Sequence, residues 1–291
     1  MILSVGEILI DLFKSDSTTE VRIGGAPFNV AVAVKRSGGK VGFVGKVGDD
    51  DFGKFVINEV EKYNLDRVNV TTLDGHKTTV AEVSLDSNKE RTFKFLRNDT
   101  ADYQLTIEDI DFESFSPSIL HLGTLMLGKE IGRKFASSLI DLATQKGVKI
   151  SVDVNFRDDI FESKYQRNEV MKPFIEKAAF LKMGLDEIID YTEQSTLENA
   201  VSSLSFKGVL FVTDGANGSH VFLGKESAYI PSTKVDAVDT TGAGDAFWGT
   251  ALAGLDKLIE TGSNLSIDNL AKITKVANKS GADAVTRLGA I

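Results

Sequence analysis

The chain has 291 residues, enough for one large domain or two small ones around a buried core. With 42% hydrophobic and 26% charged residues it has the composition of a water-soluble globular protein, and no apolar run reaches the roughly 20 residues that span a bilayer. Acidic residues outnumber basic ones by 42 to 33, a formal charge of −9 that disfavours a general nucleic-acid surface; the absence of cysteine removes disulfides, thiolate metal sites and thiol nucleophiles.

Met1 to Glu7 opens directly into strand-like sequence, without the basic segment, apolar stretch and cleavage site of a secretory leader, so a cytoplasmic location is expected. Gly24-Gly25-Ala26-Pro27-Phe28-Asn29 is a small-residue segment ahead of a helical run, Val30–Arg36. Val41–Val44 reads as a strand and Phe52–Tyr63 as a helix, with apolar residues at Phe52, Phe55, Val56 and Val60. Between them, Gly48 to Phe55 has the spacing of a phosphate-binding P-loop through Lys54. Phe55 stands where a metal-binding hydroxyl belongs, however, and Asp49, Asp50 and Asp51 would repel phosphate. A loop capping the next helix is the better reading.

Thr78–Leu85 and Arg91–Leu96 are β-type runs around the turn-rich Asp86-Ser87-Asn88-Lys89. They predict a hairpin inserted between α/β units, with one face covered; it suits either a lid over a site or a plain edge hairpin. Ile119–Leu122 is a strand, followed by a helix near Ile131–Thr144 that stops at Gly147. Val148–Val154 and Val209–Val212 are further strands, and a last helical run carries Asn278 and Gly281. This alternation predicts an α/β fold with a mainly parallel sheet and helices on both faces. The three histidines, His76, His121 and His220, show no metal-ligand spacing.

The stretch richest in chemistry is Asp239-Thr240-Thr241-Gly242-Ala243-Gly244-Asp245-Ala246-Phe247, leading into a helical pattern over Ala246–Ile259. Gly242, Ala243 and Gly244 leave backbone amides uncovered at a helix start, where the macrodipole favours an anion. Asp245 would be a poor holder of a phosphate beside it, both being negative. It would be well placed to take a proton from a hydroxyl attacking that phosphate. Alone, the same residues also suit a Gly-rich turn with an Asp cap. In the earlier segment, Gly25 allows close backbone approach and Asn29 can donate to and accept from a polyhydroxyl ligand; an ordinary strand-to-helix turn fits as well.

Together the segments resemble the two signatures of the PfkB, or ribokinase-like, carbohydrate kinase family: GGAPFN followed by GKVGDDDFG between Gly24 and Gly53, and DTTGAGDAF between Asp239 and Phe247. The likeness runs over nearly the whole chain. It implies a single three-layer ribokinase-like α/β domain over residues 1–291, with a mainly parallel sheet. A small β-sheet lid would be built from inserted strands at about 11–24 and 76–97. It implies transfer of the γ-phosphoryl group of ATP to a sugar hydroxyl, with Asp245 as base and Gly242, Ala243 and Gly244 as anion hole. Asp11, Gly25, Asn29, Arg97, Asn155 and Arg157 match sugar-side positions, the last two within a D-x-N-x-R segment that starts at Asp153. Lys182, Thr213, Gly215, Gly218, Asn278 and Gly281 match nucleotide-side positions. Glu187 matches the acid of an N-x-x-E motif that organises Mg²⁺ through water, although Gly184 replaces its Asn. Asp239, Thr241, Ala284, Arg287 and Gly289 match a monovalent-cation site for K⁺. Within the family the pattern is most similar to fructokinases, which implies D-fructose phosphorylated on its 6-hydroxyl. A 2-keto-3-deoxygluconate kinase is the nearest rival, and a non-catalytic sugar or nucleotide sensor the alternative of another class. No nucleic-acid or membrane partner is expected; pairing of two copies through their lids is.

Overall fold

The computed structural model describes residues 1–14, 19–85 and 91–291, with the side chains of 14, 83–85, 91–93 and 158 left aside. The expected Asp86–Lys89 turn lies outside the described residues.

In chain order, β1 (Ile2–Val5) is followed by β2 (Leu9–Lys14), β3 (Thr19–Gly24), α1 (Ala26–Arg36), β4 (Val41–Gly48), α2 (Asp51–Val60) and β5 (Arg67–Leu73). Next come β6 (Val80–Leu85), β7 (Arg91–Leu96), the one-turn α3 (Phe112–Phe115), β8 (Ile119–Leu122), α4 (Glu130–Gln145) and β9 (Lys149–Asp153). The C-terminal half adds α5 (Lys164–Lys177), β10 (Phe180–Gly184), α6 (Leu185–Thr192), α7 (Leu197–Ser203) and β11 (Val209–Thr213). It closes with β12 (Gly218–Leu223), β13 (Glu226–Pro231), α8 (Ala243–Glu260) and α9 (Ile267–Ala284).

Nine strands form one sheet in the order β13-β12-β11-β10-β9-β8-β1-β4-β5; it is parallel from β11 to β5, and β12 and β13 extend it antiparallel. The inner parallel strands are mainly apolar because both faces are covered, whereas the edge strand β5 is polar and partly exposed. One face packs with Phe135, Leu139, Met171 and Phe174 of α4 and α5, the other with Phe28 and Val30 of α1, Trp248 and Leu252 of α8 and Leu270 of α9. The chain leaves β1 to one side through β4 and to the other through β8. That reversal makes a crevice beyond the strand carboxyl ends, the usual ligand position of such sheets.

A second sheet has the order β3-β2-β6-β7. Alternation along β2 decides its two faces. Ile10, with Ile23 and Val80, joins the core that α2 borders, while Leu9 joins Ala81, Leu125 and Phe95 in a small cluster on the crevice side.

Two helices begin earlier than the sequence pattern suggests. α1 starts at Ala26, because Gly25, at φ 112°, turns the chain and Pro27 suits the first turn. α8 starts at Ala243, inside the small-residue segment, on Gly242 at φ 77°. The false P-loop is a cap, as expected: Asp50 Oδ1 accepts from Gly53 N at 2.8 Å. No helix among the described residues is long and apolar enough to cross a membrane.

Candidate active site

Two cavities meet at the start of α8. The larger, about 870 Å³, is lined by Thr213, Gly215, Gly218, Asn278 and Gly281, with Ala243 and Gly244 at its inner end. It gathers all of the sequence-predicted nucleotide residues except Lys182. Asn278 is buried and structural as well: its Nδ2 donates to Ile230 O at 2.9 Å and its Oδ1 accepts from Ser219, tying α9 to the sheet margin. Thr240, within the DTTGAGDAF signature, also lines this cavity, as does the segment Lys234–Ala237, which carries no sequence signature.

The smaller cavity, about 100 Å³, lies on the other side of Asp245. It brings together Asp11, Gly25, Asn29, Asn155 and Arg157 with Thr241 and Gly242, roofed by Leu9, Ala81 and Phe95 of the four-stranded sheet. Asn29 Nδ2 donates to Asp245 Oδ2 at 2.8 Å, which fixes the carboxylate in the first turn of α8. Burial pushes the Asp245 carboxyl up, while the Asn29 hydrogen bond, Lys182 and Arg157 pull against that rise. The carboxyl is thereby made readier to take up a proton than an exposed one.

Lys182, on β10, stands opposite Asp153, on β9, in register. Its Nζ contacts both Asp153 oxygens at 2.8 Å, with both side chains buried. Burial works against the ammonium charge, but Asp153, Glu187 and Asp245 together overcome it and push the Lys182 pKa up. A Cβ built on Gly244 would lie 3.2 Å from Lys182 Nζ, so this cation sits against the backbone at the start of α8. Asn155, next along from β9, adopts φ +40°, an uncommon conformation for a residue with a side chain, and Arg157 is exposed at the cavity wall.

Arg97 is the sequence-predicted sugar residue that the structure does not bring to the cavity lining. It is 8% exposed and its guanidinium is committed to Asp102, to the Tyr103 hydroxyl and to Leu125 O. It lies over the Tyr103 ring at 3.7 Å. In sequence an Arg at a strand end suits a ligand contact or a solvated end; in the fold it is instead a buried pair with Asp102.

Glu187 accepts from Gly184 N at 2.6 Å and Phe156 N at 2.7 Å. It holds the β9 and β10 ends together and keeps free lone pairs for water. No cluster of three or more metal-type side chains occurs among the described residues. Asp239 is buried and bridges two loops: Oδ1 accepts from Thr241 N at 3.0 Å and Oδ2 from Gly289 N at 2.7 Å. Of the predicted K⁺ residues, Asp239, Thr241 and Gly289 are thus brought together, while Ala284 ends α9 and Arg287 lies in the turn after it. Of the histidines, His121 is buried beside Ser151 Oγ, 3.0 Å away, and burial pushes its pKa down to about 3, so it stays neutral.

Glu7 also lines the smaller cavity; it belongs to the opening Gly6-Glu7 of the family likeness, which assigns it no role of its own, and its local signal is an acid placed immediately after a buried strand end.

Sequence and fold are similar to those of known proteins. Probable fructokinase-3 of Arabidopsis thaliana is 34% identical over 304 residues, covering 100% of this chain and 87% of that protein. A fructokinase from Vibrio cholerae O395, solved in fructose, ADP and calcium ion bound form, superposes with a TM-score of 0.90 at 28% identity, covering 99% of this chain and 94% of that one. A fructokinase from Xylella fastidiosa with bound ATP gives 0.89 at 28% identity, covering 99% and 93%. The model of the pfkB family carbohydrate kinases matches residues 1–291, the whole span over which the crevice, the start of α8 and Asp245 are assembled, and the chain belongs to that family.

Proposed function

We propose that the protein is an ATP-dependent fructokinase, forming fructose 6-phosphate and ADP. The observation that carries the reading is Asp245 at the junction of two cavities, fixed by Asn29 and backed by the start of α8. The fructokinase names of the relatives, and the fructose, ADP and ATP bound in two of them, support the choice of substrates.

In this reading ATP lies in the larger cavity with its terminal phosphate at Ala243 and Gly244. The sugar lies in the smaller one, under the four-stranded sheet acting as a lid. Asp245 takes the proton of the 6-hydroxyl as that oxygen bonds to the γ-phosphorus and the bond to ADP breaks. The amides at the start of α8 and the Lys182 ammonium offset the charge on the transferring group. A divalent ion fits a site of this kind when it arrives on the nucleotide phosphates, with Glu187 reached through water; when bound it neutralises phosphate charge. A monovalent cation among Asp239, Thr241, Ala284, Arg287 and Gly289 would order the two loops that Asp239 already bridges.

The sugar cavity favours a neutral hexose. Among the described residues it holds one cation, Arg157, against Asp11 and Asp245, and Arg97 is already committed elsewhere. An acidic sugar such as 2-keto-3-deoxygluconate would find too little positive charge there.

The test is ADP release with Mg·ATP against fructose, ribose, 2-keto-3-deoxygluconate, adenosine and no sugar, in potassium and potassium-free buffers, with Asp245→Asn as control. Fructose-dependent turnover should fall about 10²- to 10⁴-fold in the variant, the range of a general base, with the fold retained. Turnover with another sugar alone would replace fructose, binding without turnover would make the protein a sensor, and equal rates in both buffers would remove the cation.

A further inference from the structure

Four buried side-chain polar atoms have no hydrogen-bond partner among the described residues: Glu7 Oε2, Asn29 Oδ1, Thr71 Oγ1 and Trp248 Nε1. Two of the four, on Glu7 and Asn29, belong to residues that line the same small cavity. Buried acceptors left without a donor are costly, and a pair of them beside one cavity points to a ligand that supplies what the protein lacks.

Glu7 follows β1 at the point where the strand order reverses. It is 3% exposed, and Gly123 makes room for it: a Cβ there would lie 2.6 Å from Oε2. The charged groups that act on it are Arg97 at the end of β7, Asp102 in the turn after it and Arg157 beyond β9, with the Tyr103 hydroxyl nearby. None forms an ion pair with Glu7. Burial outweighs the pull of Arg97 and Arg157 and pushes the carboxyl up to about 8, so near neutral pH Glu7 is an uncharged acid. An uncharged carboxyl offers a donor and an acceptor together, as a sugar hydroxyl does.

We propose that Glu7 is a sugar-recognition residue, whose carboxyl group exchanges a hydrogen bond with a hydroxyl of the bound sugar beside the Asn29 carbonyl. The assignment rests on the sugar-kinase reading and adds a contact that the family signatures do not mark. Ionisation of Glu7 above its pKa removes the donor, so sugar binding weakens on the alkaline side while nucleotide binding does not.

The experiment compares wild type, Glu7→Gln and Glu7→Leu by steady-state kinetics from about pH 6 to about pH 9.5. The sugar is whichever one the substrate panel shows to be used, and melting curves are recorded in parallel. Glu7→Leu should raise the sugar KM by about tenfold or more, with kcat changed less than about threefold and the ATP KM unmoved, the pattern of lost uniform binding. Glu7→Gln should raise the sugar KM by about two- to fivefold, because the amide keeps both hydrogen-bonding roles in altered geometry. The wild-type sugar KM should climb above about pH 8 and that climb should vanish in Glu7→Gln. A sugar KM in Glu7→Leu within about twofold of wild type would overturn the proposal, as would an alkaline climb that survives in Glu7→Gln. If Glu7→Leu does not fold, the Glu7→Gln profile decides alone. If no sugar turns over, the kinase reading has failed separately. Calorimetric titration of fructose into wild type and Glu7→Gln, at about pH 7 and about pH 9, then decides: wild-type weakening at the higher pH alone supports Glu7, and identical profiles reject it.

Discussion

The Lys182–Asp153 pair shows how one buried charge serves two neighbours. Lys182 Nζ touches both Asp153 oxygens and lies beside Gly244 at the start of α8, so a cation next to that helix start is itself held by a carboxylate. Removing one partner of a buried pair leaves the other uncompensated, a loss of about 3–5 kcal/mol, whereas removing both with apolar or neutral groups is near neutral. Lys182→Met should therefore lower stability by about that amount and raise the ATP KM, and Lys182→Met with Asp153→Asn should recover stability but leave the ATP KM high. Denaturant melts and ATP kinetics on the two variants check this; recovery of both in the double variant would make the pair purely structural. Residues of this kind were only partly legible in the sequence. Asp245 and the glycines before it stand in one contiguous stretch whose chemistry reads locally. Asp153 and Lys182 are 29 positions apart and meet only because β9 and β10 pair in parallel with that register. Arg97 is the converse: an exposed-looking strand end in sequence, but a buried cation satisfied by Asp102 in the fold.

At the scale of elements, the start of α8 decides whether the amides converge. Hydrophobic periodicity places that start at Ala246, since Ala243 to Asp245 carry no apolar face to read. The backbone places it at Ala243, because Gly242 adopts φ 77° and Asp239 holds the preceding loop through Thr241 N. Strand positions were better announced, Ile119–Leu122 and Val209–Val212 being apolar runs buried on both faces. Gly242 cannot carry a side chain without movement: besides its positive φ, a Cβ there would lie 2.5 Å from Ala290 Cα. Gly242→Ala should displace the first turn and cost about 10²- to 10³-fold in kcat, the usual effect of losing one anion-hole donor. Far-ultraviolet circular dichroism should remain that of the native fold. A variant with native kcat would mean that the α8 amides do not stabilise the transferring group.

Across the whole molecule, two sheets with different tasks share one chain. The nine-stranded sheet and its helices carry the larger cavity, and the four-stranded sheet roofs the smaller one through Leu9, Ala81 and Phe95. Four chain crossings join them: β1 through Gly6, Glu7 and Ile8 into β2, β3 into α1, β5 into β6, and the β7 exit. If the smaller sheet closes over the sugar, its main task is to keep water from the γ-phosphorus, since water competes with the hydroxyl for the same electrophile. Phe95 is the residue on which that task can be isolated. It packs with Leu9, Ala81 and Leu125 at the cavity and takes no part in proton transfer. Phe95→Ala should raise the sugar KM by about tenfold and also raise the fraction of ATP hydrolysed without sugar phosphorylation. Measuring ADP and sugar phosphate in the same reaction separates the two effects. A raised KM with coupling still complete would show that the sheet supplies binding surface only, and that the barrier to water is the bound sugar itself.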